Sequence, residues 1–180
     1  APSVEITGSL NQTSTFFQNK TIYAYKLGTD FKNLVYSYEP DGTGGYAWKG
    51  TQTLYWDDLN GQPLVMTGVY YPQQATIPDL SQTNTVFAWN LPTNQSSGYD
   101  QYDLMMSALS FNTPSPVNFN FPHVLSKVKV RIVANGFTSQ ELSGMTLTLN
   151  NFVVDGSASL STGTATGTTT RQDVIPYLEE

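Results

Sequence analysis

The sequence predicts an all-β protein, a sandwich of about seven or more strands joined by long loops. Three observations carry that reading. The longest strand-like run, Val117 to Ala134, opens with apolar residues on alternate positions at Val117, Phe119 and Phe121. That is the period of a half-buried strand. The composition suits a pleated surface, with eleven Tyr and nine Phe among many Thr, Ser, Asn and Gly. Finally, no segment sustains a helical apolar period over about ten residues.

Within the longest run the phase flips after Pro122 and His123. Val124, Val128, Val130 and Ile132 then share one side, while Lys127, Lys129 and Arg131 take the other. A one-residue change of phase turns every later side chain over. The run therefore predicts a bulge near Pro122, or a strand that bends from one sheet into the other. Its basic row reads as a solvated face.

Taken from the start, residues 2–7 are a short candidate first strand with Val4 and Ile6 on one face. A polar stretch over residues 11–20 precedes two alternating strands, Thr21 to Leu27 and Leu34 to Glu39. Asp41-Gly42-Thr43-Gly44-Gly45 is a hairpin loop rich in residues that accept positive φ. A phosphate cradle would need Lys and Ser or Thr directly after the glycines, and a helix beyond. Tyr46-Ala47-Trp48 begins a strand instead. Strands over Tyr46 to Trp56 and Leu64 to Tyr71 meet through Asp57-Asp58-Leu59-Asn60-Gly61, a turn signal. The acidic pair lacks the spacing of a calcium loop, so neither a metal nor a cofactor is expected.

Residues 72–102 are the least regular section, with three prolines and many Gln, Asn and Ser, and predict a long loop. Trp89, Tyr99 and Tyr102 stand in it beside Asp100 and Asp103. Two readings stay open. The rings cover the open end of a sandwich, or they stack on a sugar whose hydroxyls the carboxylates bond. After the long run, Asn135-Gly136 is a turn and residues 139–143 a short helical turn. Met145, Leu147 and Leu149 alternate as a further strand, and Phe152 and Val154 shift phase after Asn150-Asn151. Residues 1–155 are thus read as the sandwich, and 156–180 as a Ser/Thr/Gly-rich linker or the start of a truncated second domain.

A net charge of −6, with one basic row, argues against a nucleic-acid partner. The absence of cysteine excludes disulfides, thiolate zinc sites and cysteine nucleophiles. No apolar run approaches the roughly 20 residues of a membrane-spanning helix. The opening Ala1-Pro2-Ser3 has neither Met nor a leader, which predicts a processed or truncated product. Catalysis is not expected. His123 is the one histidine, and neither a G-x-S-x-G elbow nor an H-E-x-x-H helix occurs. It reads as a structural group with a hydrogen-bond partner.

Several segments resemble the fimbrillin-like family, the surface lipoproteins and type V pilus subunits of Gram-negative anaerobes. Asp103-Leu104-Met105-Met106-Ser107-Ala108 is similar to that family's D-L-M-x-A segment. Phe121-Pro122-His123-Val124-Leu125-Ser126-Lys127-Val128 is similar to its F-x-H-x-L-S-K-V, and Tyr55-Trp56 and Tyr70-Tyr71-Pro72 match earlier strands. The likeness covers roughly residues 20 to 155.

The resemblance implies a transthyretin-like, Greek-key sandwich, followed in full-length members by a second one. It implies an adhesive cell-surface protein whose membrane contact is an N-terminal lipid anchor, since removed. The implied partners are other pilus subunits, bound by donor-strand exchange, or receptors on host or bacterial surfaces. In polymerising members a protease removes the first strand and a strand of the next subunit fills the groove. Val4 and Ile6 would then mark the displaced strand. That cut follows an arginine, and no arginine precedes Arg131 here. The resemblance thus implies a chain that begins after the cut, or a member that does not polymerise this way. The alternative function is a carbohydrate-binding surface module using Trp89, Tyr99 and Tyr102.

Overall fold

A computed structural model describes residues 6–9, 14–73, 80–131, 133 and 135–177. Val4 lies outside the described residues. The strands are β1 (Ile6–Ser9), β2 (Thr21–Lys26), β3 (Lys32–Pro40), β4 (Tyr46–Gly50), β5 (Leu64–Tyr70) and β6 (Val86–Asn90). They continue with β7 (Met105–Phe111), β8 (Val117–Asn120), β9 (Leu149–Phe152), β10 (Asp155–Ser159), β11 (Thr164–Gly167) and β12 (Gln172–Val174). The helical turn expected near residue 140 is α1 (Ser139–Ser143), started by a capping box between Thr138 and Glu141. The fold is an all-β sandwich.

Its central sheet runs β4-β3-β2-β5-β7, with each neighbouring pair antiparallel. The two-residue period of a strand divides the side chains between two cores. Ile22 and Ala24 of β2 enter the first core, where Met66 and Leu34 meet Phe17, Val117, Phe119 and Phe121. Tyr25 and Val69 enter the second, against Phe87, Trp89 and Ala158 from the sheet β11-β10-β6 and Leu160 just beyond β10. Burial on both faces explains why β5 reads as a near-continuous apolar run. The buried Thr67 hydroxyl donates to the Leu160 carbonyl at 2.5 Å and so ties the central sheet to the outer one. Gly68 allows the opposite face to close. A Cβ there would stand 2.8 Å from the ring of Phe121 and 2.9 Å from that of Phe119.

The loop between β3 and β4 forms as its residues require. Asp41 accepts the amide N–H groups of Thr43 at 2.7 Å and Gly45 at 3.1 Å, while Gly42 and Gly44 take φ of 85° and 94°. The hydrogen bonds from Thr43, foremost its backbone N–H, hold the Asp41 carboxyl below its ordinary value.

Four expectations need correction. The run from Val117 to Ala134 is not one strand, because its ladder ends at Asn120. A bridge joins His123 to Met105, and the Val124 N–H donates to the Leu104 carbonyl at 3.0 Å. Residues 126–131 then lie exposed, outside every described strand. Ile132 and Ala134 are not among the described residues. An apolar period prepares a segment for a sheet, but a ladder also needs a neighbouring edge, and no described strand pairs with this one.

The expected loop over residues 72–102 contains β6, whose Phe87 and Trp89 are core residues. Residues 156–180 are not a linker over their described length. Ala158, Leu160 and Val174 are buried, and β10 pairs with both β6 and β11. Small residues here reflect close contact rather than flexibility. A Cβ on Gly156 would stand 2.7 Å from the Trp89 ring. The strand expected from Met145 begins at Leu149, and the phase shift at Asn150-Asn151 has its cause in Asn151, at φ 69°.

Candidate docking cleft

The exposed stretch after His123 forms one wall of a cleft of about 1140 Å³. Lys127, Val128, Lys129, Val130 and Arg131 line it from that stretch. Leu147, Leu149 and Phe152 contribute apolar surface from the segment that becomes β9, and Val174 and Tyr177 from the end of the described chain. At one end stand Tyr99, Asp100, Tyr102, Asp103 and His123.

That end is tightly cross-linked. His123 Nδ1 lies 2.8 Å from Asp103 Oδ1. The Lys127 ammonium sits 3.9 Å from the centre of the Tyr99 ring and also donates to the Tyr99 hydroxyl. Tyr177 meets Tyr99 edge-on, with ring centres 6.0 Å apart. Phe16 also lines the cleft, and the Lys20 ammonium lies 3.4 Å from the centre of its ring. Burial lowers the Lys20 ammonium below its ordinary value, against the opposing pull of Asp100 and Asp103. Burial, with the same two carboxylates, pushes the Tyr70 phenol up to about 12.

The structure brings together two of the three aromatic residues singled out from the sequence. Tyr99 and Tyr102 line the cleft, partly buried, while Trp89 is 5 % exposed and belongs to the second core. Trp89 is therefore not a surface platform, a correction that follows from its place on β6. Its indole Nε1 is buried without a hydrogen-bond partner. Of the pair marking the candidate displaced strand, Ile6 begins β1 and is opposite Val117 of β8 in a parallel register. Sequence reasoning took the 127–131 row for a plain solvated face and missed the cleft. Its signal was there, in valines alternating with cations on a stretch that finds no sheet.

Among the described residues no group of three or more His, Asp or Glu side chains is placed to hold a metal ion. A smaller polar hollow of about 320 Å³, lined by Asn19, Thr21, Ser37, Glu39, Pro40 and Lys49, lies on the β3–β4 hairpin side.

Asp103 and His123, from the two motifs that carried the resemblance, thus meet in space, and comparison with known proteins agrees with it. The model of the fimbrillin-like family matches residues 5–178. The chain belongs to the fimbrillin-like family. A crystal structure of a candidate cell adhesion protein from Bacteroides uniformis superposes on this fimbrillin-like chain with a TM-score of 0.71. At 22 % identity, over 98 % of this chain and 70 % of the other, that likeness establishes the shared fold. No curated protein matches the chain significantly.

Proposed function

We infer that this fimbrillin-like chain is a structural, adhesive protein of the cell surface, a pilus subunit or surface lipoprotein that assembles by β-strand addition. Membership of the family supports the role, and the fold it shares with a candidate cell adhesion protein agrees with it. The observation that carries the assembly step is the pairing of β1 with β8. It is a separate two-stranded, parallel ladder of four residue pairs at the edge of the first core. Parallel pairing is slightly weaker per residue than antiparallel, and a strand of four residues has few ladder bonds to give up. On the other side of that ladder, Val117 and Phe119 are fully buried. Loss of β1 would leave β8 with unpaired backbone groups beside an apolar core. An incoming strand satisfies both.

A variant lacking residues 1–9 tests this. Its melting temperature should fall, and a synthetic peptide of residues 1–9, added in trans, should restore it. Filaments should appear by electron microscopy when intact and truncated chains are mixed. A truncated chain of unchanged stability that binds no peptide would remove β1 as an exchangeable strand.

A further inference from the structure

The end of the cleft where Asp103 meets His123 carries three tyrosines. Tyr99 and Tyr102 come from the segment before β7, both partly buried. Tyr177 comes from beyond β12 and is 44 % exposed. Trp89, which the sequence placed with them, is buried on β6, and Tyr177 supplies the third ring instead.

Hydrogen-bonding groups of both kinds stand beside these rings. Asp103 spends one oxygen on His123 and keeps a second, and Asp100 is exposed. Carboxylates only accept. Lys127 and Gln95 line the same end and donate. The Lys127 ammonium has three N–H groups and gives one to the Tyr99 hydroxyl, while the Gln95 amide has two and gives one to the Pro92 carbonyl at 3.3 Å.

Rings, acceptors and donors in one cleft fit a ligand with an apolar face and many hydroxyls. A sugar is such a ligand. Its C–H face suits the face of a tyrosine, and its hydroxyls donate to carboxylates more strongly than to neutral acceptors. Charge then selects among sugars. Two carboxylates stand at this end of a protein of net charge −6, and the Lys127 ammonium already faces the Tyr99 ring at 3.9 Å. An acidic sugar would meet like charge here, and a neutral one does not.

We propose that this end of the cleft binds a short neutral glycan, with sugar faces against Tyr102 and Tyr177 and hydroxyls donating to Asp100 and Asp103. The proposal rests on the adhesive reading above, which it deepens by naming a ligand class, and it needs no strand exchange.

The test places the intact chain on an array of neutral glycans and their sialylated counterparts, then titrates the best neutral glycan by calorimetry. Neutral glycans should be retained, and their sialylated forms should bind at least about fivefold more weakly. Raised salt should leave the affinity for the neutral glycan unchanged. Tyr102→Ala and Tyr177→Ala should each lose about three- to tenfold, and Asp100→Ala about tenfold. Melting temperatures of Tyr177→Ala and Asp100→Ala should stay unchanged, because both side chains are exposed. Retention of no neutral glycan overturns the proposal. So does equal or tighter binding of the sialylated forms, or parent-like affinity in all three variants. The sugars are free ligands and the chain keeps its first strand throughout, so failure here is distinguishable from failure of the strand-removal experiment.

Discussion

His123 and Asp103 stand twenty positions apart and meet at 2.8 Å, joining the segment before β7 to the segment after β8. The contact lies beside the bridge between His123 and Met105, where the Met106 N–H also donates to the Pro122 carbonyl at 3.3 Å. This seam is where the chain leaves the first core and enters the cleft wall. It fixes the direction in which residues 124–131 depart.

The side chains of the pair are 47 % and 22 % exposed, so the interaction is worth little in global stability. His123→Ala or Asp103→Asn should cost on the order of 1 kcal/mol or less in chemical denaturation. A double-mutant cycle should show positive coupling between them. Amide exchange at Val124 and Met106 should quicken in both variants more than in the central sheet. Independent, additive effects would mean that the pair does not hold the seam.

Gly68→Ala should destabilise the protein by about 1–3 kcal/mol, because the new methyl group overlaps the rings of Phe119 and Phe121. Phe119→Leu in the same chain should recover part of the loss by vacating space. Urea denaturation measures both. A neutral Gly68→Ala would mean that β8 does not rest directly on β5.

Tyr70 predicts alkaline sensitivity. Its phenol is pushed up to about 12 by burial and by Asp103 and Asp100, from an ordinary value of 10.0. The folded state therefore holds this proton more tightly than the unfolded chain does. The stabilisation is fully present below pH about 10 and is lost as the pH rises through about 12. Burial raises the phenols of Tyr36 and Tyr71 in the same direction. Denaturation midpoints should thus fall across that window, less steeply for Tyr70→Phe than for the parent. Parallel slopes would show that Tyr70 titrates alike in both states.

Truncation after Asp155 should abolish cooperative folding. The cut removes most of β10 and, with Ala158 and Leu160, much of the second core's outer wall, including the carbonyl that Thr67 reaches. A milder variant, Leu160→Ala, should cost about 2–5 kcal/mol. A truncated chain that keeps a sharp thermal transition would restore the reading of this region as a linker.

Legibility followed the range of the interactions. The hairpin loop at Asp41 and the helical turn over residues 139–143 were readable because each is satisfied within a few residues. The all-β class and the alternation of β2 and β3 were readable because a strand's period is written in adjacent residues. The role of Asp103 and His123 was partly readable, as two motif residues, but not their contact.

What the sequence by itself determined is the class of fold, the family, its turns and the faces of its first strands. These depend on local sterics and on a two-residue period. Which strands pair was decided by the tertiary structure alone. Val86 to Asn90 became a core strand because Asp155 to Ser159 lies beside it, while residues 126–131, better patterned, lie outside every described strand. A hydrogen-bond ladder belongs to two segments at once, so neither carries it alone. The same holds for the cleft, which joins the segment after His123 to apolar residues from the last part of the chain.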